Sequence, residues 1–380
     1  MADEGTKKHS ILEFFSGIGG MHYAAENWSR ASSSSRSVEI VAAFEVSDVC
    51  NLVYSSNFGE NPIQRSIEHL DASYLDSFNA DTWLMSPPCQ PYTSMGKQKD
   101  DQDPRARALL HLCQVVQDMQ RPPNFILLEN VNNFQHSNSH DRWLQALGSI
   151  GFMVHEFLLS PTQFGIPNER IRYYALARRI GKSSWNPDDI GKLLRYIPGR
   201  EDVVCAAEEV EEVAAYLDES SQVDLTPYMV ADNDLMKWKH GLQGYVFDIV
   251  TPESRRCSCF TKSYSKYIRG TGSLLSTNFY DEEGRLKKMN FIVLPHSGSS
   301  RCIFDVEDPW SIQDLNAMRG LKLRYFTETE VSRLMGFPEE RFKFPQEMLY
   351  PKSRLGYRML GNSLNVEVVA SLLEYLFKED

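Results

Sequence analysis

The residue best suited to covalent chemistry in this chain is Cys89, in the run Ser86-Pro87-Pro88-Cys89-Gln90-Pro91. Three prolines in five positions restrict φ and stiffen the loop that carries it. A lone cysteine is usually buried and inert, but the polar, proline-rich neighbours favour a nucleophile here. Glu129, in Glu129-Asn130-Val131, follows the apolar run Phe125 to Leu128. Partial desolvation there raises a carboxyl pKa toward the range where it donates a proton, whereas standing alone it would read as a surface or capping glutamate. Arg170 and Arg172 flank Ile171. Period-2 spacing predicts both guanidinium groups on one strand face, able to clamp a phosphate or a carbonyl oxygen.

A different kind of chemistry is signalled by Phe14-Phe15-Ser16-Gly17-Ile18-Gly19-Gly20. Glycines between a strand and a helix allow a tight turn and let backbone N–H groups approach a ligand. Glu45, at the end of the next strand, can accept both hydroxyls of a ribose. Together they point to an adenosine-containing cofactor; alone, the loop would equally suit a plain tight connection. The GxGG spacing suits a nucleoside held against the loop better than a pyrophosphate on the helix end.

These groups need a scaffold that brings strand ends together. Short β-type runs alternate with helical stretches over the first half of the chain, which predicts a parallel sheet flanked by helices. Strands are expected near Ser10 to Phe15, Glu39 to Val46, Thr82 to Met85, Phe125 to Val131, Phe152 to Leu159 and Arg170 to Arg178. Helices are expected over Asp48 to Asn57 and Arg105 to Gln120. In such a sheet Cys89 and Glu129 reach the same edge. The pattern breaks after Arg179, where a smaller second domain begins with an acidic, helix-like segment, Asp202 to Leu217. Thr327 and Glu330 form a capping box, and a final helix over Ser363 to Phe377 carries an apolar face that must pack on the sheet.

Composition bounds the setting. The 380 residues, 42% hydrophobic and 24% charged, suffice for one large or two ordinary domains. Apolar runs such as Ile40 to Phe44 fall far short of the roughly 18 residues a membrane helix needs, and the N-terminal residues show no secretory leader. Seven scattered cysteines without CxxC spacing argue for a reducing compartment and against structural zinc, and no metal is expected. The net charge of −11 argues against a nucleic-acid partner, but nine of the acids lie between Glu201 and Asp224, leaving −2 on the rest. Arg255 to Lys288 holds eight basic residues against three acids, so a local basic face is available, or else a solvated loop.

In this order the motifs resemble the cytosine-5 methyltransferases that act on nucleic acids. Phe15 to Gly20 matches their cofactor loop, Pro88-Cys89-Gln90 the nucleophile motif and Glu129-Asn130-Val131 the acid motif. Arg170 and Arg172 match the arginine motif, and Gly361-Asn362-Ser363-Leu364-Asn365 the segment that returns to complete the cofactor pocket. Within that superfamily the chain is similar to the tRNA aspartic acid methyltransferase family. The resemblance rests on Met85 to Pro91, Leu127 to Val131, Ser160-Pro161-Thr162, Gly165-Ile166-Pro167-Asn168 and the triplet Cys259-Phe260-Thr261 followed by Lys262. Ser263 and Ser265 depart from it, standing where glycines are expected.

The resemblance implies an α/β fold: a Rossmann-like, S-adenosylmethionine-dependent methyltransferase sheet with a smaller target-recognition domain. The catalytic part would comprise residues 1–180 and 321–380, and the recognition part residues 181–320. It implies methyl transfer from S-adenosylmethionine to carbon 5 of a cytosine in a tRNA anticodon loop, at position 38 of tRNA-Asp, with DNA as the alternative substrate. Cys89 would add to carbon 6, Glu129 would act at ring nitrogen 3, and Arg170 and Arg172 would hold the base. Phe15, Ser16, Gly17, Ile18, Gly19, Gly20, Glu45, Val46, Ser66, Ile67, Ser86, Asn362 and Ser363 would hold the cofactor. Gln90, Lys97, Cys259, Phe260, Thr261, Lys262, Lys266 and Arg269 would contact the nucleic acid. A cytoplasmic monomer, present also in the nucleus, with tRNA as partner and no membrane, completes the expectation.

Overall fold

Buried apolar runs alternating with amphipathic helices assemble one central sheet. In the computed structural model the described residues are 7–31, 36–92, 100–181, 185–201, 205–219, 221, 223–235, 246–267, 270–278, 292–296, 299–303, 319–348 and 353–378. Lys97 and Arg269, expected to contact nucleic acid, lie outside them. The first half supplies β1 (Lys7–Phe14), α1 (Gly20–Ala31), β2 (Arg36–Phe44), α2 (Asp48–Phe58), α3 (Ala72–Asp76), β3 (Thr82–Met85), α4 (Arg107–Asp118), β4 (Phe125–Val131) and α5 (Asn138–Ser149). Next come β5 (Phe152–Leu159), β6 (Asn168–Glu169), β7 (Arg172–Arg179) and β8 (Leu193–Leu194). Strand order is β2-β1-β3-β4-β7-β5-β8.

Successive residues of each strand serve opposite faces, as pleating requires. Ile11, Leu84, Leu127 and Leu176 pack in one core cluster, and Leu12, Met85, Ile126 and Ala175 in the other. The sheet is therefore covered on both sides, which explains its nearly continuous apolar strands.

The all-parallel expectation is corrected at one strand: β7 inserts between β4 and β5 and runs antiparallel to both. The connection from β5 carries only a 3₁₀ turn, Pro161–Phe164, and two-residue β6, with no crossover helix to return the chain in parallel. β7 also starts at Arg172, so Arg170 precedes the strand and does not share a face with it.

The acidic segment is not an α-helix over its described residues, which hold only the 3₁₀ turn Val213–Tyr216. Its amides bond outward instead: Glu211 N to Gly165 O at 2.8 Å, Val213 N to Ser254 O at 2.8 Å and Ala214 N to Pro252 O at 2.8 Å. With those donors committed to neighbouring segments, an i−4 ladder has nothing to run on.

Further strands are β9 (Val246–Phe247), β10 (Ile249–Val250), β11 (Cys257–Ser258), β12 (Leu274–Ser276), β13 (Ile292–His296), β14 (Ser299–Ile303) and β15 (Leu323–Arg324). They form the sheets β10-β12-β15 and β13-β14-β9, while β11 pairs with β6 and so anchors beside Arg170. The helix Glu328–Leu334 starts in the expected capping box of Thr327 and Glu330, and Glu330 also pairs with buried Arg324 at 2.7 Å. The final helix runs Val366–Phe377, capped by Asn365 rather than Ser363, and buries Val366, Val369, Leu373 and Leu376. It packs against α1, β4 and β7. No helix of the described residues is long and apolar enough to cross a membrane.

Candidate active site

The Cys89 loop is tied to both neighbouring strands. Ser86 N donates to Phe14 O at 3.3 Å and Ser86 Oγ to Phe15 O at 3.0 Å, while Asn130 Nδ2 donates to Pro87 O at 3.2 Å. Tyr92 N closes the turn onto Cys89 O at 3.0 Å. Prolines restrict the loop and these bonds aim it, leaving a half-buried thiol at the carboxyl edge of β3. Burial pushes the Cys89 thiol above its ordinary value and the Glu129 carboxylate adds to this, against the pull of Arg172, Arg170 and Lys262.

Glu129 sits near the end of β4, buried to 9% exposure. Desolvation pushes its carboxyl up, opposed by Arg172 and then Arg170. Glu129 registers opposite Tyr174 and Val131 opposite Arg172, so Arg172 is the diagonal neighbour of Glu129 on the same face. Its Nε lies 3.6 Å from Glu129 Oε1. The antiparallel direction of this strand, which the spacing did not predict, is thus what brings Arg172 to Glu129.

Arg170 does something else. It is buried, and Nη1 donates to Cys259 Sγ at 3.2 Å and Phe260 O at 3.1 Å, while Nη2 donates to Gly361 O at 3.3 Å and to Ser363 O. It therefore pins the Cys-Phe-Thr stretch to the C-terminal motif. Gly361 marks how close they come: a Cβ built on it would lie 2.1 Å from Lys262 N and 2.2 Å from Thr261 C. Burial works against ionising Cys259, but Arg170 and Arg172 on either side hold its thiol below the ordinary value.

One cavity of about 290 Å³ connects these groups to the glycine loop. Cys89, Gln90, Glu129, Arg170 and Arg172 line one part, and Phe15, Gly17, Glu45, Val46, Ser86, Asn362 and Ser363 another. Phe15 holds a left-handed backbone, φ 59°, which turns the loop sharply off β1. Glu45 is held from below: Oε2 accepts Gly17 N at 3.0 Å, and Oε1 accepts Val46 N at 2.8 Å and Ser47 N at 2.9 Å. Three backbone donors fix this carboxylate at the cavity wall and leave about one acceptor site, on Oε2, for a ligand hydroxyl.

Several expected residues lie elsewhere. Ser16 and Ile18 are buried beneath the loop. At Gly19 a Cβ would meet the Phe58 ring at 2.3 Å, and at Gly20 the Ser363 Oγ at 3.0 Å, so both glycines permit packing rather than touch the cavity. Ser66 precedes a 3₁₀ turn and Ile67 joins the core, neither lining the cavity. Phe260, at 2% exposure, packs against Tyr264 and Phe326 instead of facing a nucleic acid, whereas Lys262 and Lys266 are exposed.

Six further residues line the cavity without having been marked by any motif: Ser47, Val49 and Cys50 at the start of α2, and Leu355, Arg358 and Met359 on the helix Arg354–Gly361. Position was the available signal, since the first three follow Glu45 and the others precede Gly361-Asn362. His136 and His140 stand four apart in the sequence, yet His140 Nε2 is engaged by Glu156 Oε1 at 2.6 Å. Among the described residues no three His, Cys, Asp or Glu side chains gather as metal ligands would.

Residues 9–378 match the family model of the C-5 cytosine-specific DNA methylases. A Dictyostelium discoideum protein named DNA (cytosine-5)-methyltransferase is 36% identical over 96% of this chain and 93% of its own. The tRNA (cytosine(38)-C(5))-methyltransferase of Schizosaccharomyces pombe is 35% identical over 98% of each chain. The crystal structure of the S. pombe Dnmt2 methyltransferase superposes with a TM-score of 0.74 at 34% identity, covering 97% of this chain and 98% of that one.

Proposed function

We propose that this chain, which belongs to the C-5 cytosine-specific DNA methylase family, methylates carbon 5 of a cytosine at position 38 of tRNA. The observation that carries the chemistry is the shared cavity, with Cys89 and Glu129 in one part and Glu45 and Phe15 in another. The choice of RNA is supported by relatives named tRNA (cytosine(38)-C(5))-methyltransferase that match nearly end to end. In this reading residues 1–180 and 321–380 carry the chemistry, and residues 181–320 recognise the substrate, tRNA-Asp being the species.

The residues present fit S-adenosylmethionine. Glu45 is held ready for the ribose, Phe15 and Val46 offer apolar surface, and Ser86, Asn362 and Ser363 line the wall. When bound, the cofactor supplies an electrophilic methyl group. The chain's own residues do the rest. The target cytosine must leave its stack, which costs least in an RNA loop. Carbon 5 is too weak a nucleophile until the Cys89 thiolate adds to carbon 6. Glu129, its carboxyl pushed up by burial, hydrogen-bonds or protonates ring nitrogen 3 as charge develops there. Arg172 faces the carbonyl oxygen of the base, while Arg170 holds the walls of the pocket together. Carbon 5, so activated, takes the methyl group; loss of its proton then leaves the C–H electrons to expel the Cys89 thiolate and restore the ring.

A tritium-methyl transfer assay offering total tRNA beside duplex DNA tests the proposal, followed by bisulfite sequencing of the labelled RNA. Labelling confined to one anticodon-loop cytosine, a covalent adduct with 5-fluorocytosine RNA, and loss of both in Cys89→Ala are expected. Preferential labelling of DNA, or an active Cys89→Ala protein, would overturn it.

A further inference from the structure

From the turn that follows the Cys-Phe-Thr stretch, we infer that Tyr267 is a stacking platform for a loop base beside the target cytosine, an inference that rests on the tRNA reading above. Tyr267 is 56% exposed, among the more exposed of the large apolar side chains. Its backbone is nevertheless well held. Tyr267 N donates to Ser263 O at 3.2 Å, and Thr271 Oγ1 donates to Tyr267 O. Thr261 N closes the base of the loop onto Thr271 O at 2.9 Å. Ser265, at φ 64°, makes the reversal.

Below it, Tyr264 anchors the loop in the core: its ring meets Phe260 edge-on at 4.9 Å, and its hydroxyl donates to Ser273 O at 2.6 Å. Folding thus uses Tyr264 and leaves Tyr267 outside. An aromatic ring kept in water on a braced turn is a surface that binding can bury.

Position and charge select the occupant. The loop begins at Thr261 and Lys262, whose backbone touches Gly361 on the cavity wall, and the Lys262 charge is felt at Cys89. Lys262 and Lys266 are both exposed, and Lys266 Nζ lies 4.9 Å from the centre of the Tyr267 ring. An exposed ring beside one lysine, on a loop that starts against the cavity wall with a second lysine, suits a single-stranded nucleic acid, whose bases stack on aromatics while its phosphates meet lysines. Duplex DNA keeps its neighbouring bases paired and stacked, so it offers none to the ring. The extruded cytosine leaves a gap in the anticodon loop, and the ring takes up a base beside that gap.

The full chain is assayed with an anticodon stem-loop carrying one cytosine at position 38, and with the same stem-loop made abasic at each other loop position in turn. Tyr267→Ala should raise KM for the RNA about 5- to 150-fold, with kcat at saturating RNA within about two-fold and an unchanged melting temperature. Tyr267→Phe should behave as wild type, since stacking needs only the ring. At one loop position the abasic change should cost wild type a comparable factor and cost Tyr267→Ala nothing more. An unchanged KM in Tyr267→Ala overturns the inference. So does a raised KM with independent losses at every abasic position, because the ring then acts by some route other than stacking. Wild type that methylates duplex DNA and no tRNA overturns this inference together with the proposed function, whereas wild type that methylates tRNA with Tyr267→Ala its equal overturns this one alone.

Discussion

Arg172 Nε stands 3.6 Å from Glu129 Oε1, across the antiparallel seam between β7 and β4. The acid is thereby desolvated by its strand and steadied by a cation. Cys89 feels the same pair with opposite signs, the glutamate pushing its thiol up and the arginine pulling it down. One substitution in the pair therefore moves two titrations.

In the proposed mechanism Glu129→Gln takes away the proton donor and should lower kcat about 10²- to 10⁴-fold with cofactor affinity retained. Arg172→Met removes the positive charge that lowers both groups, so both limbs of the pH–rate profile should move to higher pH. A profile that keeps its position while the rate falls would show that Arg172 does not tune either group.

Arg170 and Arg172 should separate by readout. Arg170 satisfies the carbonyls of Phe260, Gly361 and Ser363 from a buried position, so Arg170→Lys strands acceptors and should cost at least about 3 kcal/mol of stability. Arg172→Met should melt close to wild type. Thermal denaturation beside steady-state kinetics tests this, and equal melting temperatures for the two variants would reject the structural role of Arg170.

Gly361→Ala should destabilise by about 1–3 kcal/mol, because its new Cβ would fall 2.1 Å from Lys262 N and backbone must shift. At Gly148, in α5, an added Cβ would meet nothing within 4 Å, so Gly148→Ala should instead stabilise by up to about 1 kcal/mol. Urea melts with opposite signs for the two alanines are expected.

Glu13 lies fully buried on β1 and burial pushes its carboxyl up to about 8, against hydrogen bonds from Tyr54 and from the His22 backbone, with the Glu45 charge adding to the rise. A raised folded-state value means the stability it contributes is fully present below its ordinary 4.5 and is lost as pH rises through about 8. Stability should therefore fall between those values with a slope of up to about 1.4 kcal/mol per pH unit from this group. Glu13→Gln keeps a hydrogen-bond acceptor for the Tyr54 hydroxyl and should flatten that slope; parallel curves for the two proteins would contradict the assignment.

Much of the candidate site was legible in the sequence. Cys89, Glu129, Glu45 and Phe15 reach one cavity because each ends a strand or opens the turn after it, and the carboxyl edge of a mostly parallel sheet gathers strand ends whatever lies between them. The capping box at Thr327 and the apolar face of the final helix were equally local signals. Glycine was harder to read. Gly17 does approach the cavity, but Gly19 and Gly20 serve Phe58 and Ser363, and a residue type that marks closeness does not say to what.

Residue type and spacing along the chain were enough to pick out Cys89, Glu129, Glu45 and Phe15, which line one cavity, because side-chain chemistry and strand or helix period are properties of a few contiguous residues. Long-range pairing decided the rest. The reversed direction of β7, the bonds from Arg170 to the carbonyls of the pocket wall and the outward hydrogen bonding of the acidic segment each depend on partners remote in the chain, as far as 193 positions away for Arg170 and Ser363. Such partners are selected by which buried donors and acceptors can all be satisfied at once, a condition that exists only in the folded whole.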